Sequence, residues 1–418
     1  MKAIVELRHV KETWVASLLG AVFASLPLPA SATTGPAQSG LIAQASNAVN
    51  ANLNPAGLTR IRQPEWVAQA LYFNSTSDFE YRSDQQPGKF SDKEGGSSYV
   101  PLIYYARPLT DRLGLGAFLT GNSFGEDLDD SGPSRYLVKE WDLLTASLVV
   151  NLGYRLTEEF SIGGGVSLDY TSFEIESDVL NLEPGASDGE MKFEDSDVTV
   201  GWTAGVLYEF TPTTRAGLTY RSDIEPSLSD RPSFKNIGPL RQALFDAGLG
   251  VFNRSVGLNI RLPQAVFGGV FHEFANGDSV SLDGGWVDFS DFGFTEVTLG
   301  DTTLDSESNK LDDIWVGTLG YSHQLNEQWK ASIGGMYISS ALDDKNRSYS
   351  FKLDRVWGVG VGAEYKWKDS LIFGLNLNYY DLGKARTEAF IDQTGETLNG
   401  KYSDHYAIGL DFTLRWIR

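Results

Sequence analysis

From about residue 65 to the C-terminus, apolar side chains recur at every second position in short runs. Val198, Val200, Trp202, Ala204, Val206, Tyr208 and Phe210 make one such face. Trp357, Val359, Val361, Ala363, Tyr365 and Trp367 make another, opposite Gly358, Gly360 and Gly362. The last run is the clearest: Tyr406, Ile408, Leu410, Phe412, Leu414 and Trp416 alternate with Ala407, Gly409, Asp411, Thr413 and Arg415. A period of two belongs to β-strands, whose successive side chains point to opposite faces. The pattern predicts strands near 65–81, 98–108, 112–124, 141–156, 160–177, 197–211, 214–224, 255–274, 279–290, 312–324, 329–341, 350–367, 370–382 and 402–417.

The connections between these runs choose the architecture. Links after the second, fourth, sixth, eighth, tenth and twelfth runs are tight, among them Pro212-Thr213, Asn276-Gly277 and Lys368-Asp369. The others are mostly longer and rich in Asp, Glu, Gly and Ser. A soluble sandwich has no reason to gather its long loops at one end. An outer-membrane barrel does, with turns in the periplasm and loops outside. The expectation is an all-β chain: a transmembrane antiparallel β-barrel of about 14 strands, its apolar face on lipid and its small or polar face on the lumen. Tyr154, Tyr208, Tyr321, Trp329, Tyr337, Tyr365 and Trp367, near strand ends, fit the two interfacial aromatic girdles.

The segment ahead of the strands divides in two. Lys2, Arg8 and Lys11 precede the uncharged apolar stretch from Trp14 to Leu26, and Ala30-Ser31-Ala32 reads as a cleavage site. That order predicts a secretory signal peptide over 1–32. Its apolar run is too short to span a bilayer, which needs about 20 residues, and no long apolar run follows. Residues 33–61 are rich in Ala and Asn and end Asn54-Pro55-Ala56-Gly57-Leu58. They are expected to form a hatch that plugs the lumen of a barrel over 62–418, because fourteen strands enclose more space than wall side chains fill.

Composition narrows the chemistry. The formal net charge is -21, and removal of a leader with three basic and two acidic residues makes the rest still more acidic. Such a chain has no basic face for nucleic acid. The lack of Cys excludes a disulfide scaffold and thiolate metal sites and suits passage through an oxidising periplasm. His272, His323 and His405 have no metal-ligand spacing, so no metal or other cofactor is expected. Gly121-Asn122-Ser123-Phe124-Gly125 matches G-x-S-x-G, but an acidic loop follows instead of a helix. Gly277-Asp278-Ser279-Val280 resembles an esterase start, but Asn276-Gly277 makes a better hairpin turn. Asp127-x-Asp129-x-Ser131-Gly132 begins like a calcium loop, yet its twelfth position is Val138. No catalytic residue is assigned.

An ordered set of short elements runs along nearly the whole chain. Asn54-Pro55-Ala56 is followed by Gly217-Leu218-Thr219-Tyr220-Arg221-Ser222 with Asp223 and Glu225, then Leu262-Pro263-Gln264 with Phe267-Gly268-Gly269-Val270. Trp286-Val287-Asp288-Phe289-Ser290-Asp291-Phe292 and Leu353-Asp354-Arg355-Val356-Trp357 complete it. In this set the chain resembles the FadL/TodX family of outer-membrane transporters for long-chain fatty acids and hydrocarbons. The resemblance implies a fourteen-stranded barrel plugged by a hatch at Asn54, Pro55, Ala56 and Gly57. It implies passive uptake: outer loops capture a hydrophobic ligand, which enters an apolar pocket and leaves sideways into the bilayer where the third strand opens. The hatch is shorter than is usual there, and the chain ends in Arg418 where barrels commonly end in Phe.

Residues can be assigned to the steps of that route. Leu240, Ala243, Leu244 and Ala247 share one face at helical spacing, with Gly248 as a stop. With Phe234, Phe245, Leu249 and Phe252 they make a candidate capture surface. Phe118, Gly121, Phe124 and Gly125 mark the third strand, where glycine permits a bend for the lateral opening. Arg221 and Arg355, with Arg415, are candidate cations for a ligand head group, although lumen arginines also pair with acidic neighbours. The expected partners are a hydrophobic small molecule such as a fatty acid, outer-membrane lipid and the barrel-assembly machinery. The alternatives are a general diffusion porin or a structural outer-membrane protein.

Overall fold

The computed structural model describes residues 36–85, 90–127, 132–136, 138–247, 254–300, 302–305, 311–342, 354–391 and 394–418. The expected signal peptide lies outside them, as do residues 128–131 and 137 of the calcium-like loop. Fourteen antiparallel strands close into a barrel. They are β1 (Glu65–Ser83), β2 (Phe90–Pro108), β3 (Leu113–Asp127), β4 (Glu140–Arg155), β5 (Phe160–Val179), β6 (Gly189–Thr211), β7 (Thr214–Arg221), β8 (Ala265–Glu273), β9 (Ser279–Val287), β10 (Ile314–Gln324), β11 (Trp329–Ile338), β12 (Val356–Lys368), β13 (Leu371–Asp381) and β14 (Glu396–Ile417). Each pairs with its neighbours in sequence, and β1 closes on β14 from Glu65↔Ile417 to Ser83↔Leu398. Closure leaves no edge strand, which is how strands can cross a bilayer with nearly all their backbone groups paired.

The two faces separate as the alternation requires. On β6, Val200 is 67% exposed and Trp202 52%, whereas the intervening Thr203 and Leu207 are buried. On β14, Leu410 and Phe412 point out and Asp411 is buried. A continuous apolar band of this extent would be an aggregation surface in water and is the solvent-facing surface in lipid. Aromatic rings pair across strands in this band: Trp202 with Tyr220 at 4.7 Å and Trp329 with Tyr365 at 4.7 Å between centroids. The Asn276-Gly277 turn forms as expected, with Gly277 at φ +85°, a conformation glycine adopts without penalty. Next to it, the Asp278 carboxylate accepts from Tyr321 OH at 2.7 Å and Asn276 Nδ2 at 2.9 Å, with His323 Nδ1 at 2.7 Å. These bonds, Tyr321 foremost, hold the Asp278 pKa down at about 2.

The single strand expected over 255–274 is two strands. Pro263 has no N–H to give to a ladder, and the chain turns there. Only Ala265–Glu273 stays in the wall. Val256–Arg261 joins a small four-stranded outer sheet with Ser227–Asp230, Gly293–Leu299 and Thr302–Asp305. Strands β2, β6 and β14 also run farther outward than the apolar alternation reaches. There the outward face is polar and the remaining apolar side chains, Met191 and Phe193 on β6 and Leu398 on β14, are buried toward the interior, so the outward apolar period fades although the backbone pairing continues. In the outer half of the lumen aromatic side chains fill the space, as where Phe79 stacks on Tyr402 at 4.3 Å and Phe289 on Phe292 at 4.4 Å.

Candidate functional site

Residues 36–61 fold within the barrel. Asn54 makes this possible locally. Its Oδ1 accepts from Ala56 N at 3.1 Å and caps the short 3-10 helix Pro55–Arg60, which has Pro at its first position. Its Nδ2 donates outward to Val206 O on β6 at 3.0 Å and back to Ile42 O at 3.3 Å. One fully buried amide thus ties the helix, the preceding segment and the wall together. The wall answers with polar side chains. Asn151 donates to Ala51 O at 2.5 Å, Arg155 to Thr59 O at 3.0 Å and Arg215 to Ala43 O at 2.8 Å. It also answers with glycine: a Cβ at Gly153 would stand 2.5 Å from Pro55 O and 3.1 Å from Leu58 Cβ, so only glycine admits the segment this closely. The earlier residues reach the opposite wall, where Ser281 Oγ donates to Ser39 O at 2.9 Å and Ala37 N to Asn378 Oδ1 at 3.2 Å.

The wall is not equally sealed all round. Strand β3 pairs with β4 along its whole length, from Leu113↔Tyr154 to Asp127↔Glu140. Its pairing with β2 runs only from Pro108↔Gly114 to Leu102↔Thr120. The next residue of β2 is Pro101. It has no N–H, and its carbonyl is met by the Thr120 hydroxyl at 3.3 Å. The ladder therefore ends where its next donor is missing. Beyond it, Gly121 has no side chain to close the space, and a Cβ there would find one atom within 4 Å, Thr145 O at 3.8 Å.

Against this break lies a cavity of about 100 Å³. Its apolar lining includes Leu102, Phe118, Val149 and Leu262, and its inner side is formed by Asn52 of the lumen segment. Phe118 stacks on Tyr104 at 4.7 Å. Two charged groups share the cavity. Arg221 gives its Nη2 to Asn52, reaching Asn52 O at 3.2 Å. Asp169 accepts from Ser167 Oγ at 2.6 Å and from Ser147 Oγ. A second cavity, of about 290 Å³, lies on the periplasmic side of the lumen segment. Its lining is polar and charged: Gln44, Arg215, Glu273, Lys330, Glu364 and Arg415.

The sequence-predicted residues distribute as follows. Asn54, Pro55, Ala56 and Gly57 are buried in the lumen. Phe118 lines the cavity, and Gly121 stands just past the end of the β2–β3 ladder. Phe124 and Gly125 follow on β3, paired with Leu143 and Asp142; the G-x-S-x-G run is thus continuous strand, without the strand-turn-helix a nucleophile elbow needs. Arg221 is in the cavity. Arg355 is not: it pairs with Asp381 at 2.8 Å, and that bond raises its pKa above the ordinary guanidinium value. Arg415 binds Glu65 at 2.7 Å near the periplasmic end. The loop helix forms over Pro239–Asp246 with none of its residues buried and Leu240 53% exposed. Phe234 meets Phe245 at 5.3 Å, Leu244 is half-buried, and Arg241 Nε fastens the helix to Leu180 O at 2.8 Å. Leu249 and Phe252 lie outside the described residues. Asn52, Asp169 and the role of Pro101 escaped the sequence reading. A carboxylate at an inward position of a wall strand, between outward Leu168 and Tyr170, was the available sign for Asp169.

A closed barrel of fourteen strands with an apolar outer band, an N-terminal segment folded within its lumen and a wall that parts beside a cavity defines a β-barrel of the Gram-negative outer membrane. Within that class, the chain belongs to the outer membrane protein transport protein family (OMPP1/FadL/TodX), whose model matches residues 18–415. It is 26% identical over 377 residues to a long-chain fatty acid transport protein of Escherichia coli O6:H1, covering 82% of this chain and 83% of the relative. To the long-chain fatty acid transport protein of Salmonella typhi it is 24% identical over 369 residues, with 82% and 84% covered. Among solved structures it is similar to a Pseudomonas aeruginosa FadL homologue, with TM-score 0.79, 17% identity and coverage of 93% and 98%. The Pseudomonas putida toluene transporter TodX matches with TM-score 0.61, 17% identity and coverage of 89% and 94%. At these identities the structures establish the fold alone.

Proposed function

We propose that this protein is a transporter and not an enzyme: a channel for passive uptake of hydrophobic compounds across the outer membrane, with a lateral exit into the bilayer between β2 and β3. The observation that carries the reading is the end of the β2–β3 ladder at Leu102↔Thr120, directly beside a cavity lined by Leu102 and Phe118. A hydrophobic ligand gains about 0.8 kcal/mol for each CH₂ it removes from water. It keeps that gain by moving from cavity to lipid and loses it by entering the charged periplasmic cavity. The residues 36–61 act as the hatch, closing the straight route. The exposed apolar residues of the Pro239–Asp246 helix, with Phe234 and Phe245, receive the ligand outside. The membrane supplies the sink, so no nucleotide or energy-coupling partner is required. Similarity to fatty acid transport proteins and to a toluene transporter supports a greasy cargo.

The test is a pair of assays on purified protein in liposomes, namely saturable uptake of labelled toluene or oleate and leakage of a small sugar. Saturable hydrophobic uptake without sugar leakage is the expected result. Sugar leakage without hydrophobic uptake would make the protein a diffusion porin. Replacing Leu240 and Leu244 together by Asp should slow uptake severalfold at unchanged barrel yield; unchanged uptake would remove the loop helix from the route.

A further inference from the structure

We infer that the cavity beside Thr120 selects a neutral molecule of about one aromatic ring that carries a hydroxyl group, in preference to a fatty-acid carboxylate. The inference rests on the transport reading above and assigns Asp169 as the residue that sets the preference.

Size is the first reason. The cavity measures about 100 Å³. A dry apolar cavity of roughly 150 Å³ accepts benzene; this one is smaller but adjoins the end of the β2–β3 ladder, so a single ring can seat in it by extending toward that break, whereas a long acyl chain cannot. The apolar side of the cavity suits a ring as well. Phe118 is already stacked on Tyr104 with an interplanar angle of 19°, and a ligand ring against Phe118 would continue that stack.

Charge is the second. One cation and one anion line the cavity, Arg221 and Asp169. The Arg221 guanidinium is committed on one side to Asn52. A ligand carboxylate would enter as a second anion, desolvated and close to Asp169, with no cation added to balance it. Like charges held close together repel, and a ligand charge taken out of water without a partner is costly.

Hydrogen-bonding capacity is the third. A carboxylate has about four lone-pair positions, and two of those on Asp169 are taken by Ser147 and Ser167. The remainder can accept a ligand O–H. Thr145 and Thr203 place further hydroxyl groups on the same lining. A hydroxyl can donate to Asp169 and accept from Thr145, whereas the Thr203 hydroxyl already donates to Tyr220 O at 3.0 Å. A carboxylate can only accept, and the strongest acceptor in the cavity then repels it.

The experiment compares binding of 4-cresol, toluene, benzoate and oleate to the purified full-length protein in detergent, by equilibrium dialysis, for the unaltered protein and for Asp169→Asn. The unaltered protein should bind 4-cresol at least tenfold tighter than toluene and benzoate, as expected for a hydrogen bond to a charged group. Asp169→Asn should erase most of that advantage, leave toluene within about twofold, and improve benzoate. Val149→Phe, which fills the cavity, should weaken 4-cresol and toluene together, placing the bound ring at this site; retained binding would mean it sits elsewhere and would overturn the inference. Oleate or benzoate binding more tightly than 4-cresol to the unaltered protein would also overturn it, while saturable oleate uptake in liposomes would leave the transport reading standing. Liposomes that take up none of the four and leak sugar would overturn both.

Discussion

The two cavities on either side of the lumen segment differ in what surrounds them. The outer one is small, half apolar, and adjoins a place where two wall strands stop pairing. The periplasmic one is larger, lined by Arg215, Glu273, Lys330, Glu364 and Arg415, and adjoins strands that remain paired. A molecule that prefers hydrocarbon to water therefore meets lipid on one side and charge on the other. On the proposed reading, direction comes from local solvation rather than from a driven motion, and the segment between the cavities keeps them apart.

The largest expected effect comes from destroying that separation. Gly153→Val places side-chain atoms where Pro55 O and Leu58 Cβ now stand. Overpacking of this kind costs about 1–3 kcal/mol, and the segment is held at that point by backbone contacts that cannot rotate aside. Sugar leakage from liposomes should rise from background to a readily measured rate. Leakage that stays at background would mean that the wall yields instead of the segment. A smaller change sharpens the contrast in the wall. Pro101→Val restores the missing donor and should extend the β2–β3 ladder past Thr120. Uptake of toluene should fall about tenfold while sugar retention is unchanged. An unaltered uptake rate would show that the cargo leaves elsewhere.

The smallest effect concerns the tight turn at the periplasmic end. Asp278 is held down at about 2 by Tyr321, His323, Gln324 and Asn276. Its pKa is depressed in the folded protein, so its contribution to stability is present above the unfolded value near 3.9. It is lost as pH falls from there toward 2. Melting temperature measured between pH 5 and 2 should drop more steeply for the unaltered protein than for Asp278→Asn. Equal slopes would assign the acid sensitivity to other carboxylates.

Much of this architecture was legible in the sequence because a bilayer imposes a strict rule. Every second residue of Val198 to Phe210 must satisfy lipid, so alternation persists there and predicts the strand. The lumen segment was marked in the sequence by Pro55 and Gly57 and by the resemblance at Asn54-Pro55-Ala56, whereas the Asn54 cap and the short helix it starts are visible only in the fold. The outer ends of β2, β6 and β14 were not legible: Asp92-Lys93-Glu94-Gly95-Gly96 carries no apolar face to read, and on β6 and β14 the few apolar side chains face inward. Pro263 hid for a related reason. It interrupts a run whose two halves both alternate, and only the pairing partners show that they belong to different sheets. Within the site, Phe118 and Arg221 stood out by type, whereas Asp169 looked like one acidic residue among many until its neighbours Ser147 and Ser167 were placed around it.

The missing N–H of Pro101 also fixes a depth. A strand crosses the hydrocarbon in roughly nine to eleven residues, and the β2–β3 ladder rises only from Pro108 to Leu102 before it ends. Seven residues fall short of a full crossing, so the seam starts to part while still inside the hydrocarbon. Backbone groups along the parted edges find no lipid partner there, and the Thr120 hydroxyl that meets Pro101 O supplies one from the wall itself. Cargo leaving by this seam would be released directly among acyl chains. Its onward journey would then proceed through the membrane, at a rate that depends on lipid fluidity and temperature.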